Sequence, residues 1–195
     1  MSDAIDQIDQ IDQLWRRIEA RLSLLASPTG LHLAVGSSNQ ALDHVEAELG
    51  IRLPEDVRAS YHRHDGGFSL EPVIDMDMLP LTEMAEWWRI HEHLLHDERW
   101  ASTPPYYFTD EVVRSGYQAG PVQSVWWHRR WIPFASELAG NLTCIDLAPA
   151  SGGTVGQIID WDHECGPTRV LFPDFTRLLA AFADQLEHGD DPQAV

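Results

Sequence analysis

The sequence predicts an α+β domain with N-terminal helices, a mostly antiparallel multi-stranded sheet and a closing C-terminal helix. Three observations predict it. Apolar residues recur at helical spacing in the N-terminal part. The second half breaks into short alternating runs separated by Gly, Asn and Pro. The stretch from Phe175 to Leu186 then returns to helical spacing.

Taken in order, Ile8, Ile11, Trp15, Ile18, Leu22 and Leu25 follow spacings of 3, 4, 3, 4 and 3, the apolar seam of one helix. An Ile-Asp-Gln triplet repeats from Ile5 to Gln13. Ser2 or Asp3 is the expected cap, and Ser27-Pro28-Thr29-Gly30 the expected stop. Such a helix packs on its own domain. Its first turns, within residues 1–13, are expected to project and pair with a second copy as a homodimer. Ser37 and Gln40 have the spacing of a capping box for a second helix. Ala41, Leu42, Val45 and Leu49 form its stripe and Gly50 its C-terminal cap. Pro54 opens a third helix with Val57 and Tyr61 inward, and Asp65-Gly66-Gly67 stops it.

Phe68–Leu70 and Val73–Met78 read as short strands around Pro72. Thr82 is the expected cap of a helix from Glu83 to about His96, with Met84, Trp87, Trp88, His91, Leu94 and Leu95 on its apolar face. Residues 97–124 show little periodicity and read as a long loop or insert. Strands follow at Val125–Phe134, Leu142–Leu147, Thr154–Asp160 and Thr168–Phe172, with a turn at Gly140-Asn141. Asp174 caps the last helix, whose inner side is Phe175, Leu178, Leu179, Phe182 and Leu186. Residues 1–188 are expected to form one domain, and 189–195 a frayed tail.

The charge is −18, from 31 acids against 13 basic residues that are all Arg. Such a field repels phosphate backbones, so nucleic acid is an unexpected partner, and it favours encounter with a basic protein. An acidic solvated surface is the plainer reading of the same numbers. No apolar run is long enough for a membrane helix, and the first residues show no secretory signal, so a cytoplasmic location is expected. Cys144 and Cys165 sit in no metal or redox pattern and are expected to be unbridged.

Two stretches carry a resemblance. One runs Trp131-Ile132-Pro133-Phe134, Gly140-Asn141, Asp146-Leu147-Ala148-Pro149 and Gly156-Gln157. The other runs Glu46, Leu49-Gly50, Leu53-Pro54, Asp56, Tyr61 and Asp65-Gly66-Gly67. Together they resemble the SUKH superfamily, which includes the fungal cell-wall assembly regulator and bacterial toxin-immunity proteins. The resemblance spans roughly residues 14 to 186. It implies a protein-binding module without catalysis, foremost an immunity protein that blocks a basic toxin domain. A regulator or scaffold of envelope assembly is the alternative.

Candidate chemistry is sparse. His91-Glu92 lacks the second His four residues on that a zinc helix needs. His93 and His96 are three apart with no third ligand evident beyond His62 or His64, so no metal site is expected. Asp160, Asp162, His163 and Glu164 gather acids beside a His, which leaves a small-molecule binder or hydrolase as a reading of another class. The plainer reading is a charged hairpin turn. No catalytic residue and no cofactor is expected. The tryptophans point to partner binding. Neighbours on a strand face opposite ways, so one of Trp126 and Trp127 is expected outward, and Trp87 and Trp88 diverge by about 100° on a helix. Exposed Trp beside charge resembles an interface hot spot. The expected partner-binding set is Asp65, Trp87, Trp88, Trp126, Trp127, Trp131, Asp160, Trp161 and Asp162. Against it stands a broad core that absorbs most of the rings.

Overall fold

The computed structural model describes residues 2–25, 33–96 and 120–188. The expected helix stop at Ser27–Gly30, most of the insert at 97–124 and the tail 189–195 lie outside the described residues.

The apolar seam becomes α1, Ser2–Leu25. Ile11, Trp15 and Ile18 are at most 1% exposed, whereas Ile8, one turn earlier, is 43% exposed. The helix docks on α3 (Glu55–Arg63) and α5 (Phe175–His188). Trp15 Nε1 donates to Ser60 Oγ at 3.0 Å, satisfying the one polar atom of a buried ring. Around that apolar centre arginines clamp the helix. Arg63 pairs with Glu19, and Arg17 with Asp184 and Glu187.

α2, Asn39–Leu49, is capped by Ser38, not Ser37. Ser38 is extended and its Oγ accepts the Ala41 N–H at 3.2 Å, while the Ser37 N–H donates to the Tyr61 carbonyl. The serine with the helix's orphan donors in reach becomes the cap, so the expected Ser37–Gln40 box is displaced. Gly50 takes φ 66 and closes the helix by donating to the Glu46 carbonyl, as expected. α4, Leu81–His96, starts before the expected Thr82 cap. Its first donor, the Leu81 N–H, is met from a distance by Asp65 Oδ1 at 2.9 Å. Asp65 therefore builds a helix end.

β1 (Phe68–Ser69), β2 (Asp77–Met78), β3 (Trp131–Ser136), β4 (Leu142–Asp146), β5 (Gln157–Asp162) and β6 (Gly166–Phe172) form one antiparallel sheet in sequence order. The strand expected from Val125 begins only at Trp131. The Trp131 N–H turns back to the His128 carbonyl at 2.8 Å, closing a turn where a ladder was expected. A register shift between Pro133 and Ala135 accommodates the proline, which has no ladder donor. Every residue of β4 is buried, so the sheet is covered on both faces. Phe175 and Phe182 of α5 meet Phe134 and Phe68, while α4 packs on β3.

This winding sorts the connections. The links to helices, α3 to β1, β2 to β3 through α4, and β6 to α5, all leave one end of the sheet. The hairpins at 70–76, 137–141 and 163–165 all lie at the other end.

Candidate functional site

Asp146, at the end of β4, is fully buried. Its Oδ1 accepts Trp131 Nε1 at 3.1 Å and the Ala148 N–H at 2.8 Å, and its Oδ2 accepts Gln157 Nε2 at 2.9 Å. Gln157 Nε2 also donates to the Pro121 carbonyl at 3.1 Å. Burial pushes the Asp146 carboxyl above its ordinary range, and the donors from Ala148, Gln157 and Trp131 pull it back. The second stretch ends in a similar pin. Asp56 Oδ2 accepts the Thr176 N–H and hydroxyl at 3.1 and 3.0 Å, tying α3 to the start of α5. The residues that stand out most in the sequence are thus architectural.

Trp87, Trp126, Trp127 and Trp161 gather around His91. Its ring stacks on Trp127 at 4.5 Å, meets Trp161 edge-on at 4.6 Å, and lies 5.6 and 5.9 Å from Trp126 and Trp87. His91 Nδ1 lies 2.8 Å from the Trp87 carbonyl, and burial lowers the ring's pKa against that bond. The expectation of an outward Trp is corrected. Trp126 is 7% and Trp127 3% exposed, because the segment is a turn that sends both rings inward. Trp88, Trp131 and Trp161 are buried too, and Trp87 is half-buried. Their indole N–H groups are engaged internally. Trp88 donates to the Arg129 carbonyl, Trp126 to the His163 carbonyl, Trp127 to Glu92, and Trp161 to the Trp126 carbonyl. Trp126, Trp127, Trp131 and Trp161 are thus interior, and of this set Trp87 is the ring with a partly open face.

The hairpin end of the sheet reaches solvent. Glu71, Asp75 and Asp77 of the first hairpin and Glu137, Leu138 and Ala139 of the second line one open groove. Glu137 accepts from Asn141 Nδ2, and Asn141 Oδ1 accepts the His163 N–H at 3.1 Å, which links the second tip to the third. There Asp162 Oδ1 accepts the N–H groups of Glu164 and Cys165 at 2.8 and 2.9 Å. Those bonds outweigh the upward push of burial and hold the Asp162 carboxyl below its ordinary range. Asp160 binds the Thr168 hydroxyl and lies 3.6 Å from Arg169. The tips contain no arginine. Hydrogen bonding to Asp75 and repulsion from Asp75 and Asp77 push the Glu71 carboxyl up. Leu138 stands fully out of the surface.

Of the expected set, Asp160 and Asp162 lie at this end with Glu164 of the same acidic run, and the sheet adds Glu71, Asp75, Asp77 and Glu137, which sequence reasoning did not single out. The available signal was the alternation of hairpins in a meander, which sends every second connection to one end. His93 and His96 are exposed. No group of three His, Cys, Asp or Glu among the described residues is arranged to hold a metal.

The model of the SMI1 / KNR4 family (SUKH-1) matches residues 36–181. The chain belongs to that family. The match takes in the pins and the hairpin end, and the resemblance read from the two motif stretches holds. Among curated relatives, the cell wall biosynthesis/cell cycle regulator smi1 of Schizosaccharomyces pombe is 30% identical over 185 residues, covering 90% of this chain and 36% of the relative. The cell wall assembly regulator SMI1 of Saccharomyces cerevisiae is 24% identical, covering 90% and 40%. A glucan synthesis regulatory protein of Neurospora crassa is 24% identical, covering 80% and 35%. The chain spans little more than a third of the length of these family members, which are named as regulators.

Proposed function

We propose that this chain is a non-catalytic protein-binding domain acting in the regulation of cell-wall or envelope assembly, and that it meets a basic surface of its partner with the hairpin end of its sheet. Family membership alongside named cell-wall regulators carries the reading. The Arg-free acidic tips support the choice of that surface. Unlike charge across the gap speeds encounter and sets orientation, and the exposed Leu138 supplies an apolar contact inside the charged rim. We place the protein in the cytoplasm, where the thiols of Cys144 and Cys165, both free, suit a reducing compartment.

The test is capture of the partner by the tagged full chain from its host, at low and moderate salt. Beside it runs a variant carrying Glu71→Arg, Asp77→Arg and Glu164→Arg. Envelope-synthesis proteins retained by the native chain and lost by the variant are the expected result. Equal retention by both would overturn the assignment of the surface. Immunity against a basic toxin is the second reading, favoured by the −18 charge alone. A toxic domain as the retained partner would replace the regulatory reading with it.

A further inference from the structure

The N-terminal helix outruns the body it docks on. Its seam is sealed at Ile11, Trp15 and Ile18, yet Ile8 opens to solvent at the mouth of a groove of about 490 Å³. The floor of that groove is Ile11 and Ala59. Ile8, Asp9 and Asp12 of α1 form one wall, and Asn39, Glu55, Arg58, His62 and Arg63 form the other. The walls differ in sign. From Ser2 to Gln13 the helix carries Asp3, Asp6, Asp9 and Asp12 and no basic residue. The opposite wall holds two arginines and a histidine against the single Glu55.

Part of that positive charge is already engaged. Arg63 pairs with Glu19 and Asp12, and Arg58 with Asp43. His62 Nε2 bonds Asn39 Oδ1. Arg58 Nη1 is buried within ion-pair distance of Glu46 but has no hydrogen-bond partner. An apolar floor with a basic wall suits an incoming helix that repeats Ile and Asp. This chain contains one, the turns of α1 that precede Ile11.

We propose that the groove receives the first turns of α1 from a second copy, in a two-fold pair where each helix lies in the other's groove. An interface that places one surface against itself needs no further partner and closes at two copies. Ile8 then meets apolar surface, and Asp6 and Asp9 of one copy face His62 and Arg63 of the other. The −18 charge on each copy opposes the pairing, so it tightens as salt screens that repulsion.

The mass in solution tests this, measured by sedimentation on the full chain from about 1 to 200 μM in about 150 mM salt. The expected result is twice the 22.1 kDa of one chain for the native protein and 22.1 kDa for Ile8→Asp. Ile8 is not part of the sealed seam, so the variant is expected to keep the native circular dichroism. His62→Asp weakens the pair at least tenfold, and adding Asp9→Arg restores it. A native chain of 22.1 kDa across the range, or an Ile8→Asp variant that stays paired, overturns the proposal.

Discussion

Asp146 shows how much rests on one carboxylate. Two side-chain donors, from Trp131 and Gln157, converge on it inside the protein. Asp146→Ala strands the Trp131 indole and the Ala148 N–H, while Gln157 keeps the Pro121 carbonyl, and each stranded donor costs about 1–3 kcal/mol. The expected loss of roughly 2–5 kcal/mol is read as a lower urea midpoint at unchanged slope. Trp161→Ala empties a site enclosed by Trp126, Trp127 and His91 and costs about 3–5 kcal/mol. Loss of binding in a Trp126→Ala, Trp127→Ala double variant is therefore expected to track loss of folding, because both rings are internal. Cys165 offers a gentler probe. Burial and its hydrogen bond to Asp162 push the thiol up to about 11, so it alkylates slowly near pH 8. Asp162→Asn removes that negative charge and is expected to speed the reaction, followed by mass spectrometry.

Among the elements, α1 is held by apolar packing and a charged clamp that respond differently to acid. Arg63 and His64 together hold Glu19 down to about 2 against burial. Its folded pKa is depressed, so its contribution is present above the ordinary value of 4.5 and is lost as pH falls from there toward 2. Asp56 and Asp146, raised by burial, have the opposite sign, and their protonation favours the folded state as pH falls. Hydrogen exchange across this range is therefore expected to rise in α1 before it rises in β4 and β5. Uniform exposure of all three would show that the clamp does not set the order. The seam of α1 was legible because period alone decides which residues face inward. The start of α4 was not, because its cap, Asp65, lies well before it in the chain. The 125–130 segment misled for a related reason. A run of large apolar residues reads as a strand until a turn closed by His128 and Trp131 decides otherwise.

Over the whole molecule, function separates from signature. The Trp, Asp and Gln residues that mark the family are interior, so they report the fold and leave the partner to the surface. The fold class and the closing helix were therefore legible in the sequence. The acidic end was legible only in its Asp160–Glu164 run, since Glu71, Asp75 and Glu137 are scattered in the chain and join it only when hairpins alternate between the ends of a sheet. Association with a basic partner is expected to slow several-fold between about 50 and 200 mM salt while dissociation changes little. A salt-insensitive on-rate, measured by stopped flow, would remove the electrostatic account.

The sorting of connections also shapes how such a domain can diversify. A residue inserted beside Leu138 extends a tip already in solvent and lengthens no path through the core. At the opposite end the Asp146 pin and the helix connections hold the core, and length is added there away from the pin, as at the exposed Ser151 and Gly152. The tips are thus free to vary in length and sequence without touching the Asp146 pin. That makes the tips natural sites for grafting a new recognition loop onto an unchanged scaffold.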